Sequence, residues 1–314
     1  MHPDARSRKS SHGETDLPAL AALIVANVAL AFGPWFVRLA DVGPVAAGFW
    51  RIGLAVPVLG VMALGSGWRP AGLGRALWLT LAIGGLCFAA DLGSWHVGIL
   101  RTTLANATLF GNSATLFYPI YGFIAARSLP SRAQALALLL AAVGAALLMG
   151  RSYELSSRNL AGDLLCLLAG LLYTGYFILM ARARTVLAPL PALTLSSLAS
   201  LLPLLLAAFA LGERVWPHDW APLVGVALAS QVLGQGLMIY ALGKLSPLVI
   251  GIALLTQPIV AGTVGWLVYD ERLGAADLVG AVLVAVALVL VRRRAPEPVQ
   301  LGPIGAEVPT SGRD

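Results

Sequence analysis

This sequence predicts an all-α polytopic membrane protein, with ten transmembrane helices built as two inverted five-helix repeats. Three observations carry the prediction. Of 314 residues, 58% are hydrophobic and 11% charged, whereas a soluble domain carries roughly 25% charged residues. Apolar runs of about 20 residues, the length that crosses a hydrocarbon core, recur along the whole chain. The second half also repeats the first at low identity. A water-facing surface needs charge, so a chain this poor in it is expected to face lipid.

The runs lie at about 18–38, 44–64, 76–97, 103–125, 133–150, 162–182, 190–211, 220–242, 247–269 and 275–291. Residues 1–16 are polar and read as a cytoplasmic tail. The run from Leu17 is long for a signal-peptide core, so an uncleaved first helix is expected. That helix carries Asn27, Pro34 and Trp35. The second holds Arg51, and the third holds Asp91 followed by Ser94, Trp95 and His96. The sixth has Tyr173 and Tyr176 at mid-depth, and the eighth has Gln231 and Gln235 one turn apart. The ninth has Thr256 and Gln257 just before Pro258. Residues 293–314, rich in Pro, Gly and Glu, read as a disordered cytoplasmic tail. Cys87 and Cys166 both fall within spans and fit neither a disulfide framework nor a zinc site.

The net charge of +6 raises nucleic acid as a partner, but its distribution points to topology instead. With the N-terminus inside, the inner segments hold Arg6, Arg8, Lys9, Arg69, Arg75, Arg127, Arg132, Arg182, Arg184, Lys244, Arg292, Arg293 and Arg294. The outer loops hold only Arg38, Arg101, Arg151, Arg158, Arg214 and Arg272. This is the positive-inside pattern, with both termini cytoplasmic.

The segment from Gly98 aligns with that from Ala241 at a constant offset: Arg101 meets Lys244, Thr103 meets Ser246, and Ser113 meets Thr256. The repeats are expected over 17–150 and 151–292. Five spans per repeat is odd, so the second must insert upside down and equivalent loops should reverse charge. The loop before each closing span does so, with Arg127 and Arg132 in one and Asp270, Glu271 and Asp277 in the other. Arg101 and Lys244 do not. Inverted repeats are a recurrent plan of secondary transporters, which bind substrate near the midplane between the halves.

The chain resembles the drug/metabolite transporter superfamily, in particular ten-helix permeases with two EamA repeats. The resemblance runs over about 18–292 and rests on "VANVALAFGPWFVRLA", "RTTLANATLFGNSA", "GDLLCLLAGLLYTGYFILMAR" and "LLTQPIVAGTVGWLVYDERLGAADLVGAVLV". The last is the most specific, with Pro258, Glu271 and Gly280. The first half departs from the pattern at Thr115, Ser128 and Ala137. The resemblance implies transport of metabolites, often export of amino acids or related small solutes, and leaves the solute open.

Within "ANATLFGNSATLFYPIYGF", Thr108, Asn112 and Thr115 fall on one helical face with Tyr118 close by. Counted from Thr103, Asn112 lies about 14 Å down the helix. An amide there cannot face lipid, which offers it no hydrogen bond, so the face is expected to look into the bundle. Pro119 has no N–H for the Thr115 carbonyl, which is expected to stand free at the cavity. Interhelical glue is the plainer use of any one of these residues; the stripe with its proline reads as substrate lining. Gln231, Gln235, Thr256, Gln257, Tyr173 and Trp35 are further lining candidates. Trp35, Trp50, Trp95 and the tyrosines could stack on an aromatic or cationic solute.

Arg51 and Asp91 are depth-matched, each about 10 Å below the outer surface at 1.5 Å per residue. Intramembrane charges default to functional hypotheses. Three uses stay open: a structural pair, proton coupling through Asp91, or binding of a solute carboxylate by the Arg51 fork. His96 is expected at the hydrated outer interface. Every Glu lies in a loop or tail, so coupling through a membrane Glu is not available.

No G-x-x-x-x-G-K-[ST] loop occurs, which excludes an ATP-driven pump in this chain alone. A lipid-linked or nucleotide-sugar carrier would want a cluster of cations for phosphate, and one intramembrane Arg is thin provision. For a membrane-embedded enzyme, Asp91, Ser94 and His96 are the available groups, but one helix cannot aim them at each other as a triad. The expectation is therefore a non-enzymatic transporter of a small-molecule substrate, without cofactor or metal and without nucleic acid. It would be embedded in the lipid bilayer of the inner membrane, with monomer and homodimer both open. Fluorescent protein fused after Asp314 should be bright and alkaline phosphatase fused there inactive; the reverse would overturn the topology.

Overall fold

Proline opens five of the described helices, at Pro18, Pro44, Pro189, Pro222 and Pro247. Its fixed φ suits the first turn, where its missing N–H has no intrahelical partner anyway. The computed structural model describes residues 16–70, 72–102, 110–149, 159–269 and 274–292. The described residues form helices and no strands. In chain order they are α1 (Leu17–Leu39), α2 (Pro44–Gly65), α3 (Arg75–Ile99), α4 (Ala114–Ala125), α5 (Arg132–Met149), α6 (Leu160–Ala183), α7 (Pro189–Ala210), α8 (Ala221–Leu242), α9 (Pro247–Leu254 continued by Thr256–Tyr269) and α10 (Ala275–Arg292). Six are long and apolar enough to cross a membrane, namely α1, α2, α3, α6, α7 and α8. The others are shorter apolar helices.

Their faces are sorted as a lipid-embedded bundle requires. On α3, Leu79, Ile83 and Leu86 point outward while Leu77, Leu81 and Phe88 are buried. An exposed leucine face of that extent has no use in water. Inside, small residues let backbones approach. Ser200 Oγ donates to the Gly85 carbonyl at 2.8 Å, tying α7 to α3. A Cβ on Gly251 of α9 would lie 2.8 Å from the Thr115 carbonyl of α4.

Three irregularities break the helical regularity. α1 is interrupted at Phe32. The middle of α8, Ala227–Gln235, is wound as a π-helix. The fourth span is not one continuous helix: Phe110 and Gly111 are helical, Asn112 and Ser113 form a turn, and α4 starts at Ala114. α9 breaks at Leu255, which the offset of the repeat alignment sets opposite Asn112.

The packing partners are also paired. α3 lies on α6 as α8 lies on α1, α3 on α7 as α8 on α2, and α4 on α6 as α9 on α1. α2–α7, α4–α9 and α5–α10 map onto themselves when each helix is exchanged for the one five later.

Both ends of the bundle carry polar clasps. Glu213, in the connection after α7, accepts from the backbone of Val45 at 3.2 Å and Ala46 at 2.8 Å, capping α2. Trp50 Nε1 donates to the Val215 carbonyl at 2.7 Å, and the Trp50 ring packs on Trp216 and Trp220. Trp50 therefore anchors this connection and is not available to stack on a solute. At the other end Lys244 Nζ donates to Asp16 at 2.9 Å and holds that carboxyl below the ordinary value.

Gly251→Val should overpack the α4–α9 crossing and cost about 1–3 kcal/mol. Gly60→Ala, where a Cβ meets nothing within 4 Å, should be neutral. Unfolding of the detergent-solubilised protein compares them, and equal stabilities would refute the crossing as described.

Candidate functional site

An arginine inside an apolar bundle must be satisfied or it will not stay there. Arg51 Nε donates to Gln231 Oε1 at 3.1 Å, and Gln231 Nε2 donates to Ser197 Oγ at 3.2 Å. This relay joins α2, α8 and α7. Gln231 sits fully buried on the π-helical stretch, a winding found disproportionately at functional sites. The guanidinium carbon stands 5.8 Å from the Phe88 ring centroid, within cation–π range. Neither terminal nitrogen of Arg51 hydrogen-bonds to a described residue.

Asp91 follows Phe88 by three residues, so both lie on one face of α3. It is partly buried and interacts electrostatically with Arg51, yet among the described residues the two form no direct ion pair. Gln231, not Asp91, takes the guanidinium hydrogen bond.

α6 supplies an aromatic wall. Phe88 stacks on Tyr176 at 4.7 Å and on Tyr173 at 6.3 Å. Tyr173 meets Phe177 at 4.2 Å, and Phe177 meets Tyr118 of α4 edge-on at 5.4 Å. Gln235 is fully buried beside the hydroxyls of Tyr173 and Tyr176. Its two amide atoms and the Tyr176 hydroxyl complete no hydrogen bond among the described residues. Buried polar atoms are nearly always paired, and the Tyr176 hydroxyl has the Gln235 amide and Ser196 as its polar neighbours.

A second polar link joins α9 to α1. Gln257 Nε2 donates to Asn27 Oδ1 at 2.9 Å, and Asn27 Nδ2 donates to the Leu23 carbonyl at 2.8 Å. Gln257 lies just beyond the break at Leu255. Where the alignment sets Gly170 opposite Asn27, that glycine packs on Ser113 and Ala114 at the break before α4.

The structure thus brings Arg51, Asp91, Gln231, Gln235, Tyr173 and, through Phe177, Tyr118 into one continuous cluster. Thr115 is buried on α4, and Thr256 is partly buried at the α9 break. Asn112 belongs to a turn, where its carbonyl accepts from Thr115 N at 2.9 Å, and not to mid-helix. Thr108 lies outside the described residues. The ring contacts of Trp35 are to Phe32 and Phe36. The Thr115 carbonyl released by Pro119 does not face a cavity, because Gly251 covers it. His96 is buried beside Gly48 and Trp95, not hydrated.

The sequence reading missed Ser197, Phe88 and Phe177. "LTLSSLAS" in the seventh span was the signal for Ser197, a hydroxyl pair inside an apolar run. A cavity of about 310 Å³ opens elsewhere, between α4, α5 and the start of α9, lined by Gly122, Ser131, Gln134 and Pro247 among others and by no charged side chain.

Gln231→Leu removes an acceptor from a charged donor and should cost about 1.5–3 kcal/mol, against about 0.5–1.5 for Ser197→Ala. Denaturant unfolding in detergent ranks them, and Ser197→Ala costing the more would refute the relay's order.

Residues 160–293 match the family model described as the EamA-like transporter family. A solved crystal structure whose description names no activity is 14% identical and superimposes with a TM-score of 0.73, covering 87% of this chain and 94% of its own. At that identity the likeness is one of fold. No curated protein matches the chain. Over residues 160–293 the chain is thus similar to the EamA-like transporter family.

Proposed function

We propose that the protein is a secondary transporter that exports a small polar metabolite, such as an amino acid or related solute. Transport runs by alternating access about a midplane site between the inverted repeats 17–150 and 151–292. The observation that carries this reading is the cluster around Arg51. It holds an oriented cation, a carboxylate, orphaned amide and hydroxyl groups and an aromatic wall, drawn from α2, α3, α6 and α8. A scaffold has no need of orphaned polar atoms in its core, since each costs stability.

Two features support the rocking of halves. The packing partnerships exchange between the halves, and the breaks at Asn112–Ser113 and Leu255 fall at aligned positions, as discontinuous helices do beside transporter sites. The likeness of residues 160–293 to a transporter family supports a protein that is not an enzyme. A lipid-linked or nucleotide-sugar substrate remains the alternative, disfavoured by the single intramembrane arginine. The charge distribution of the loops supports cytoplasmic termini, and the Arg-, Ala- and Leu-rich usage supports an inner-membrane location.

In cells overproducing the protein, one class of polar solute should accumulate outside, and Arg51→Gln at matched membrane levels should lower that accumulation by about tenfold or more, the worth of a lost charge-assisted bond. Identical extracellular profiles would remove the export reading.

A further inference from the structure

Resting on the transporter reading, we infer that Arg51 and Asp91 load together. A solute carboxylate takes the terminal fork of Arg51 while Asp91 takes a proton from the same aqueous side, so that a monocarboxylate and a proton are carried as a unit.

The geometry gives each partner a free face. The Arg51 Nε is committed to Gln231, which leaves both terminal nitrogens without a described protein acceptor. Two parallel N–H groups on a fixed plane match a carboxylate. Asp91 makes no hydrogen bond to a described residue and stays partly exposed. The orphaned Gln235 amide offers one donor and one acceptor, the complement of a second amide. Phe88, Tyr173 and Tyr176 supply the apolar wall. A carboxylate bearing an amide on a small apolar frame fills all three.

Charge then dictates the coupling. Empty, the site holds Arg51⁺ and Asp91⁻ and is neutral. A bound carboxylate beside an ionised Asp91 would leave an unmatched negative charge in a water-poor bundle, and protonated Asp91 without solute would leave an unmatched positive one. Uncompensated buried charge is the costly case. The two neutral states, empty with Asp91 ionised and carboxylate-loaded with Asp91 protonated, are therefore the ones that cross. No covalent bond changes: the proton moves from water to an Asp91 oxygen and returns to water when the solute leaves.

Among the described residues, no other group near Asp91 is a carboxylate, and His96, whose Nδ1 is buried without a partner, is the other nitrogen base at hand. Arg51 faces it from α2, Tyr173 and Tyr176 from α6, and Cys87 and His96 share its helix. The tyrosines and the thiol are weaker acids than a carboxyl, and a proton on His96 would add a second cation beside Arg51. α7 presents Ser196, Ser197 and Ser200, and α8 presents Gln231 and Gln235, none of which titrates. Export in this scheme runs down the acid's own gradient, and an outside-acid proton gradient opposes it.

The test uses the full-length protein in liposomes loaded with a pH-sensitive dye, with labelled N-acetyl-L-alaninate and L-alanine as probes. They differ by the acetyl group that removes the positive charge. For N-acetyl-L-alaninate, uptake by the wild type should acidify the lumen by one proton per solute and be unaffected when the membrane potential is clamped. Asp91→Asn mimics the protonated carboxyl, so its loaded state is neutral and its empty state charged. It should keep exchange of labelled for unlabelled N-acetyl-L-alaninate while net uptake falls at least about tenfold. Retained exchange also shows that the variant is folded. Potential-driven uptake, uptake without acidification, or unchanged net uptake by Asp91→Asn would each overturn the coupling. Flux of L-alanine alone would overturn the carboxylate assignment while leaving the transporter reading intact, and flux of neither probe would likewise overturn that assignment.

Discussion

One buried guanidinium organises this bundle. Arg51 lies among apolar helices where Gln231 accepts its Nε hydrogen bond, Phe88 presents a ring face, and Asp91 stands within electrostatic reach. Those partners come from α8 and α3, and Ser197 of α7 fixes Gln231 in turn. Removing water from a charge makes each of these contacts consequential, because nothing else can substitute for them. The relay leaves the terminal fork of the arginine unused, which separates a structural ion pair from a site.

The neighbouring helices are shaped around that cluster. The π-helical winding of Ala227–Gln235 carries both glutamines of α8, and Gly85 brings the backbone of α3 within reach of Ser200 on α7. α4 and α9 cross where Gly251 covers the Thr115 carbonyl that Pro119 cannot bond. A freed carbonyl is thereby shielded by a close backbone contact, not by solvent. The fourth and ninth spans are interrupted at aligned positions, and next to one break Gln257 of α9 donates to Asn27 of α1. Rigid packing at the ends, through Glu213 on α2 and Lys244 with Asp16, sets off the irregular middle.

The structure has a helix at each of the ten apolar runs, because hydrophobic length is a local property of the chain. The candidate residues were partly legible for the same reason: Arg51, Asp91, Gln231 and Gln235 stand out as polar groups where lipid permits few. Ser197 and Phe88 were not, since a serine in a span is usually glue and a phenylalanine is ordinary. His96 was misjudged because axial position alone placed it near the surface. The aromatic neighbours of Trp50 come from a connection more than 160 residues away, which no local pattern predicts.

What the sequence determined by itself is the all-helical membrane class and the position of each polar group along its helix, since rise per residue converts residue number into axial position. What only the tertiary structure decided is azimuth. Depth placed Arg51 level with Asp91, but rotation of α8 about its axis put Gln231 against the guanidinium and kept the carboxylate out of direct contact. The interruption at Asn112, likewise, turned an expected mid-helix amide into part of a turn. Helix rotation and helix breaks are set by which small residues let neighbouring backbones approach, a many-body packing outcome that one span cannot encode alone.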